Sequence, residues 1–277
     1  MIKRMMSSSI SKRILTSVAG LPVLILLLTL GGWPLKGALF ALSVTGMYEF
    51  YKALSGKVKI IHWAGFVCAA VYYSMLGNMS DARAVTVILI GLTIAVCVLT
   101  VLFYRHIDAK DAAVTYFGFC YITVLLSTIY LTTERHGGFL VAVALVSAWG
   151  CDTGAYIVGR TLGKSGKHKL APVLSPKKTI EGAIGGTLTA GALTALLANI
   201  FFMDRLEINR LTLTFTIVGI ICAIFAQMGD LFASAIKRQT GIKDFGVILP
   251  GHGGVMDRFD SVIFTAPILY LMALVLL

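Results

Sequence analysis

Charged residues are scarce in this sequence, and their scarcity excludes most soluble proteins. Asp, Glu, Lys and Arg make up 13% of the 277 residues, whereas a soluble globular domain usually carries about 25%. Hydrophobic residues account for 57% of the chain, and the mean hydropathy is +0.87. The composition therefore indicates a polytopic membrane protein.

Three further absences narrow the function classes. The five cysteines lie in apolar segments without CxxC or Cys/His spacing, so neither a disulfide framework nor a zinc site is expected. The GxxxxGK[ST] pattern of a P-loop is missing. The net charge is +11, but no soluble module is present that could use it to bind nucleic acid.

Nine apolar segments are long enough to cross a bilayer core of about 30 Å, which needs about 20 helical residues. They are continuous apolar runs without the alternation of barrel strands, so we expect an all-α fold without strands. A tight turn is expected near Trp33 and Pro34. The first segment lacks a small-residue cleavage site and is predicted to be an anchor, not a signal peptide. The predicted spans are 14–33, 35–53, 61–77, 84–103, 113–132, 138–158, 180–203, 211–233 and 259–277.

Lys and Arg are distributed unequally between the loops. With the N-terminus in the cytoplasm, 19 of the 24 basic residues fall on the cytoplasmic side and 5 on the other side. The positive-inside tendency therefore predicts an N-in, C-out topology. The basic loops then face the cytoplasmic leaflet, where anionic lipids and nucleotides are found.

The chain has no internal repeat and is predicted to form a single membrane domain over residues 1–277. Residues 1–135 supply hydrophobic helices, in which Glu49 is the main polar exception. Residues 136–277 hold the catalytic helices and the basic loops. Acidic residues fall at the cytoplasmic ends of these later helices, so we expect the active site there.

A charged segment from Asp230 to Asp260 stands out in this apolar sequence. Ionisable groups at a membrane cost several kcal/mol each unless they are paired or coordinated, so the segment indicates a site for metal ions and phosphates. A helix here would present a carboxylate, a hydroxyl and two cations on one face, which can hold a cation and then a polyphosphate. These residues are Asp230, Ser234, Lys237 and Arg238.

A glycine-rich turn follows, in which Gly253 and Gly254 allow backbone N–H groups to approach an anion. A plain turn explains this segment equally well when it is taken alone. Asp257 and Asp260 then share a face at the start of the last span, where carboxylates can bind Mg²⁺ whose shell is completed by substrate phosphates. The alternative is a structural cap paired with Arg258.

A second polar region lies upstream. Asp152 is placed at the end of the sixth span, where an unpaired carboxylate is costly, and this favours a functional role. The 159–179 loop holds six basic residues and no acidic one. Lys177 and Lys178 stand just before a predicted helix N-terminus, which attracts anions. The alternative is a solvated basic loop beside anionic lipid.

The run from Ser234 to Asp260, S-x-I-K-R-x4-K-D-x-G-x2-L-P-x-H-G-G-V-x-D-R-F-D, resembles the signature of phosphatidate cytidylyltransferases, also called CDP-diacylglycerol synthases. The elements DTGAY, GR and SPKKTIEG are similar to that family as well, so the resemblance covers residues 145–265. It implies an integral membrane enzyme of the bacterial inner membrane that converts CTP and phosphatidic acid into CDP-diacylglycerol and pyrophosphate. Mg²⁺, a second cation such as K⁺, membrane lipids and a homodimer are further expectations.

The resemblance agrees with the polar residues as a reaction centre. Asp230 and Asp257 are predicted to bind the metal, and basic side chains to neutralise the triphosphate. His252 is expected to orient the turn without transferring a proton, because the lipid phosphate is already ionised near neutral pH. The predicted catalytic residues are Asp152, Asp230, Lys237, Arg238, Asp257 and Arg258, and the predicted substrate-binding residues are Lys177, Lys178, Ser234, Lys243, His252, Gly253, Gly254 and Asp260.

Two other functions share part of this pattern. A secondary transporter also carries intramembrane acids and glycine-broken helices, but it usually shows paired repeats and charges near the bilayer midplane. A different lipid-linked transferase or a CTP-dependent lipid kinase would share the metal and phosphate chemistry. Nucleotide turnover distinguishes the transporter, and the identity of the lipid product distinguishes the kinase.

Overall fold

The computed structural model describes residues 20–57, 61–78, 81–163, 168–202, 208–248 and 253–276. Most of these residues are helical, as expected. A π-helical segment, Phe119–Val124, lies inside one continuous helical stretch, Ala109–His136. The elements are α1 (Gly20–Leu30), α2 (Gly32–Leu54), α3 (His62–Met75), α4 (Asp81–Leu102), α5 (Ala109–Gly118), α6 (Leu125–His136), α7 (Gly138–Thr161), β1 (Lys169–Ala171), β2 (Ser175–Thr179), α8 (Ile180–Phe202), α9 (Ile208–Thr240) and α10 (Met256–Leu276).

Each of the nine segments predicted as spans coincides with helix in the described residues. Six helical stretches there are long and apolar enough to cross a membrane, which supports a polytopic membrane protein. Helix α3 has 14 residues, and its length of about 21 Å is less than the hydrocarbon thickness of about 30 Å. The six stretches are Val85–Leu102, Ala109–His136, Gly138–Thr161, Ile180–Phe202, Ile208–Thr240 and Met256–Val275.

The first turn lies slightly earlier than predicted. The break between α1 and α2 is at Gly31, where φ is 58°, and Gly32 follows with φ 48°. Such values favour glycine, because a Cβ atom would be strained there. Trp33 and Pro34 instead belong to the first turn of α2. Proline is tolerated at that place because the first N–H groups of a helix have no intrahelical acceptor.

The expectation that strands are absent is wrong at one place. Strands β1 and β2 form an antiparallel hairpin in which Lys169 pairs with Thr179 and Ala171 with Ser175. Strands of three and five residues are too short to give a clear alternating pattern in sequence. The hairpin runs directly into α8. The prediction that a helix N-terminus follows the two lysines of β2 is therefore confirmed.

The chain forms two compact units, which are described separately. The first unit contains the described residues up to Glu134 together with Thr240–Arg258. Its core is rich in aromatic residues, and α2 packs against α3 and the π-helical segment. The buried Tyr72 hydroxyl lies 2.8 Å from Ser127 Oγ. Buried tyrosines pack as apolar side chains but need such a partner for the hydroxyl.

The second unit contains residues 135–239 and 259–277. Helices α7 and α8 approach closely in it because glycines face the backbone of the neighbouring helix. A Cβ atom on Gly186 would lie 2.5 Å from the Cys151 carbonyl oxygen, and one on Gly182 would lie 2.8 Å from that of Ala155. Ala190 is fully buried on α8 in a cluster with Cys151. The small side chains of α8 therefore form a close packing face.

We expect Gly186→Ala to lower the apparent melting temperature of the detergent-purified protein by several degrees. The added Cβ would meet a backbone oxygen that cannot rotate away, and overpacking of this kind typically costs about 1–3 kcal/mol. Gly91→Ala in α4 is the matched control, since a Cβ there has no heavy atom within 4 Å. Equal melting temperatures for Gly186→Ala and the control would contradict the close packing of α7 and α8.

Candidate active site

A cavity of about 480 Å³ lies in the second unit between α7, α8, α9 and the hairpin. Small-molecule pockets commonly have volumes of about 300–1,000 Å³. The wall of this cavity carries side chains of both charges. Its polar lining residues are Asp152, Tyr156, Arg160, Lys177, Lys178, Thr179, Gln227 and Asp230.

Asp230 of α9 forms an ion pair with Lys178 of β2 in this cavity. Each of the two side chains is 27% exposed, so solvent and ligands can reach both. Fully exposed pairs typically add only about 0–1 kcal/mol to stability, and breaking a buried pair costs more, so this half-buried pair lies between the two cases. The pair therefore shows that the Asp230 carboxylate faces positive charge in the cavity.

The start of α8 is organised by the residues around the hairpin. Thr179 Oγ1 accepts the N–H of Gly182 at 3.1 Å and caps the helix. His168 Nδ1 lies 2.7 Å from Glu181 Oε1, which connects the beginning of β1 to the first turn of α8. Lys177 is thereby held just before a helix N-terminus, where the helix dipole favours anions. A phosphate contact there stays a prediction.

Asp152 and Asp260 are connected through Ser261 in the second unit. Ser261 Oγ lies 3.5 Å from Oδ2 of Asp152 and 3.5 Å from Oδ1 of Asp260. Asp260 is only 8% exposed and also accepts the Ser261 N–H at 2.8 Å. Its carboxylate interacts electrostatically with Asp152, Asp230 and Lys237. Neighbouring carboxylates repel each other unless cations are close, so this group of side chains favours a positively charged ligand.

The predicted polar face of α9 lies on one continuous helix that includes Asp230, Ser234, Lys237 and Arg238. This helix has 33 residues and is about 50 Å long, which exceeds the hydrocarbon thickness of a bilayer. Arg238 Nε donates a hydrogen bond to the Leu174 carbonyl oxygen at 3.3 Å. The basic end of α9 is thereby attached to the turn between β1 and β2.

In the first unit, Asp257 holds together the chain that leads into α10. Its Oδ2 accepts the N–H of Phe245 at 2.8 Å and the N–H of Gly254 at 3.0 Å. Gly253 has φ 86°, and a Cβ atom there would lie 3.0 Å from the same oxygen. The two glycines thus let the backbone approach a carboxylate closely. Whether they also approach a phosphate stays a prediction.

Two other predicted residues of this unit, Lys243 and Arg258, have exposed side chains. His252 lies outside the described residues, so its orienting role stays a prediction. The predicted site residues therefore fall into two groups. Asp152, Lys177, Lys178, Asp230, Ser234, Lys237, Arg238 and Asp260 belong to the second unit, and Lys243, Gly253, Gly254, Asp257 and Arg258 belong to the first.

Glu49 was not among the predicted site residues, yet it contacts the chain next to Asp257. It lies in α2, is 1% exposed, and accepts the N–H groups of Val255 and Met256 at 3.1 and 2.9 Å. These N–H groups belong to the start of α10, where the helix itself offers no acceptor. The signal in the sequence was a single acidic residue in an apolar segment, but its partners are more than 200 residues away along the chain.

Comparison with known proteins decides the family. The sequence model of a protein family, described as the cytidylyltransferase family, matches residues 11–276 of this chain. The chain belongs to the cytidylyltransferase family. A phosphatidate cytidylyltransferase of Staphylococcus haemolyticus is 36% identical over 262 residues, which cover 93% of this chain and 96% of the relative. A phosphatidate cytidylyltransferase of Bacillus subtilis is 32% identical over 271 residues, with coverage of 94% and 96%. The resemblance seen in the sequence is confirmed.

The sequence predicts Mg²⁺, and the described side chains show which oxygen donors could bind it. Among the described residues, no group of three or more His, Cys, Asp or Glu side chains is placed to hold a metal ion. Mg²⁺ usually takes one or two carboxylates and completes its shell with phosphates and water. Asp152 and Asp230 line one cavity, where Lys178 already supplies positive charge. These hard oxygen donors fit Mg²⁺ that is bound together with a phosphate substrate.

Gln227, which lines the cavity of the second unit, is another residue that sequence reasoning missed. Its Nε2 donates to Thr187 Oγ1 at 2.9 Å and to the Ala183 carbonyl oxygen at 3.2 Å, and it lies 3.3 Å from Cys151 Sγ. These contacts connect α9 to α8 and α7 at the cavity wall. An amide in an otherwise apolar span was the signal, and it did not reveal which helices it would join.

Proposed function

We propose that this protein transfers the cytidylyl group of CTP to phosphatidic acid, giving CDP-diacylglycerol and pyrophosphate in phospholipid biosynthesis. The protein is a nucleotidyltransferase of the cytidylyltransferase family, and it covers nearly the whole length of relatives named for this reaction. The observation that carries the proposal is the cavity of the second unit. There the Asp230 carboxylate faces a lysine that precedes a helix N-terminus.

The reaction brings two anions together. An oxygen of the lipid phosphate forms a bond to the α-phosphorus of CTP, while the bond from that phosphorus to the oxygen bridging to the β-phosphate breaks. Pyrophosphate leaves with the bonding electrons. The lipid phosphate is already ionised near neutral pH, so no general base is required. Positioning and positive charge are therefore what the site must supply.

Residues of the second unit supply both requirements. Asp230 would hold Mg²⁺, with Asp152 beside it, and the bound ion would neutralise charge on the phosphates. Lys177 and Lys178 line the cavity just before α8. There they would donate hydrogen bonds to a phosphate that also faces the N-terminus of α8. The basic end of α9, with Lys237, would attract the triphosphate.

We also propose roles for residues of the first unit. Asp257 is proposed as a further metal ligand, for Mg²⁺ or for a second cation such as K⁺. The exposed Lys243 and Arg258 would neutralise the triphosphate. The glycine-rich turn offers backbone N–H groups to an anion. A homodimer in the lipid bilayer is part of the proposal and rests on the resemblance alone.

We place the protein in the bacterial inner membrane with nine spans, an N-in, C-out topology and the active site facing the cytoplasm. Two observations support the proposed spans: each of the nine apolar segments coincides with helix in the described residues, and six of the helical stretches there are long and apolar enough to cross a membrane. The 19 to 5 distribution of basic residues supports the orientation. An active site on the cytoplasmic side has access to CTP, which is found there.

Cysteine labelling tests the topology. In a background without the five native cysteines, Ser55→Cys should react with an impermeant thiol reagent from the cytoplasmic side, and Asn78→Cys from the opposite side. Both positions are exposed, and the first follows α2 while the second follows α3. Right-side-out and inside-out vesicles provide the measurement. Labelling of both positions from one side would contradict the proposed topology.

The reaction itself is tested with full-length protein purified in detergent, radiolabelled CTP, phosphatidic acid and Mg²⁺. We expect a labelled lipid that carries the cytidylyl group, together with pyrophosphate. A lipid that gains only a phosphoryl group would indicate a CTP-dependent kinase. Absence of nucleotide turnover, from protein that is folded by size-exclusion chromatography, would favour a transporter and remove the proposed function.

A further inference from the structure

Glu49 brings a buried carboxylate to the N-terminus of α10 within the first unit. Each of its two oxygens accepts one backbone N–H, from Val255 and from Met256. Burying a charge is costly unless the group is hydrogen-bonded or paired. Here the unsatisfied N–H groups and the positive end of the helix dipole offset that cost. The transfer chemistry described above leaves Glu49 without a role.

The surroundings of Glu49 restrict its carboxylate to this position. Gly246 and Gly254 both face it, and a Cβ atom on either glycine would overlap the carboxylate oxygens. On the side of α2, a Cβ atom on Gly46 would lie 3.4 Å from Sδ of the fully buried Met256. Glycines therefore line both sides of the first turn of α10 and allow the carboxylate and the methionine to pack there.

The N–H groups of this turn are divided between two carboxylates. Asp257 accepts the N–H of Gly254, and Glu49 accepts the next two along the chain. Glu49 and Asp257 are both carboxylates and repel each other, so the backbone N–H groups between them hold the two side chains apart. With Glu49 in place, the backbone on both sides of Val255 is held, and the direction of the Asp257 side chain is held with it.

We infer that Glu49 is a positioning residue for cytidylyl transfer, which caps α10 and thereby fixes the Asp257 carboxylate in the orientation that binds a cation. The inference rests on the proposed function, in which Asp257 is a metal ligand. Glu49 acts through the turn and not directly on a substrate. Residues that orient metal ligands commonly change metal affinity or activity by about 10–100-fold when they are replaced.

The test compares Glu49→Gln with the wild-type protein in the CDP-diacylglycerol assay and by thermal unfolding without substrates, each over a range of Mg²⁺ concentrations. Glutamine has the same shape, but its NH₂ group would face a backbone N–H, so one of the two hydrogen bonds is lost. We expect kcat to fall at least about 10-fold and the Mg²⁺ concentration for half-maximal rate to rise at least about threefold.

Asp111→Asn is the matched control. Asp111 is also a buried carboxylate that caps a helix of the first unit, since it is 5% exposed and accepts the Asp108 N–H at 2.9 Å at the start of α5. Its replacement should lower the melting temperature without moving the Mg²⁺ dependence. Gly246→Ala is a second route to the same effect, because its methyl group would displace the Glu49 carboxylate.

Four outcomes decide the inference. A shifted Mg²⁺ dependence in Glu49→Gln and Gly246→Ala, but not in Asp111→Asn, supports it. Unchanged kcat and Mg²⁺ dependence in folded Glu49→Gln overturns it while the wild-type activity stands. An equal shift in Asp111→Asn, or failure of only the Glu49 and Gly246 variants to fold, assigns the carboxylate to stability and also overturns it. A wild-type protein that makes no CDP-diacylglycerol removes the proposed function and this inference together.

Discussion

Asp230→Asn is expected to lower the turnover of CDP-diacylglycerol synthesis at least about 100-fold while the protein stays folded. The carboxylate faces positive charge in the cavity of the second unit, and asparagine keeps the shape but loses the charge that attracts a metal ion. The ion pair with Lys178 is partly exposed, so its loss should cost less stability than the loss of a fully buried pair. Initial rates over a range of Mg²⁺ concentrations, together with thermal unfolding in detergent, provide the measurement.

Lys178→Gln is the control for this substitution because it breaks the same ion pair from the other side. If Asp230 binds the metal, Asp230→Asn should raise the Mg²⁺ concentration for half-maximal rate, whereas Lys178→Gln should not raise it, and both variants should show a similar change in melting temperature. A folded Asp230→Asn protein with nearly normal turnover at saturating Mg²⁺ would remove Asp230 from the proposed ligands.

Asp257→Asn should also lower turnover at least about 100-fold, but it tests the metal less cleanly. One oxygen of Asp257 accepts two backbone N–H groups. If the asparagine NH₂ group takes the place of this oxygen, both hydrogen bonds are lost and the turn changes with the metal site. A loss of activity in this variant therefore combines a changed turn with a changed metal site. Among the hydrogen bonds described for the second unit, Asp230 accepts no such pair of backbone N–H groups.

The helices could be predicted from the sequence because each membrane span is a long run of apolar residues. Each predicted span needed about 20 consecutive apolar residues, and each coincides with helix. Helix ends were less predictable from hydropathy alone. The membrane span expected over 211–233 lies inside helix α9, Ile208–Thr240. The polar end of α9 continues past the apolar run, as the helical spacing of Asp230, Ser234, Lys237 and Arg238 predicted. Hydropathy indicates where a membrane can be crossed, and backbone hydrogen bonding decides where a helix ends.

The candidate site could be predicted only as a set of residue types. Spacing along one helix placed Asp230, Ser234 and Lys237 on a common helix, and the structure agrees. The contact of Glu49 with Val255 could not be derived in this way, because it joins positions 206 residues apart. Packing of separate helices decides such contacts, and a single sequence contains no local pattern for them. The roles of the predicted site residues stay predictions.

Lys178→Gln should lower kcat/KM for CTP by roughly 10-fold to 150-fold. A charge-assisted hydrogen bond to a phosphate typically contributes about 1.5–3 kcal/mol, and glutamine keeps a donor but loses the charge. The position at the N-terminus of α8 adds to the effect, because an anion bound there interacts with the helix dipole as well. Arg258→Gln in the first unit should give a loss in the same range if its guanidinium group contacts the triphosphate.

Lys57→Gln and Lys110→Gln are the matched controls for these two variants. Both residues are exposed lysines of the first unit, one after α2 and one at the start of α5, in loops predicted to be cytoplasmic. Each should change kcat/KM for CTP less than about twofold, since a screened surface charge attracts a nucleotide only weakly. Similar small losses in all four variants would mean that the basic residues attract anions collectively. The proposed phosphate contacts of Lys178 and Arg258 would then be wrong, because replacing a residue that contacts the phosphate must lower kcat/KM more than replacing a residue that does not.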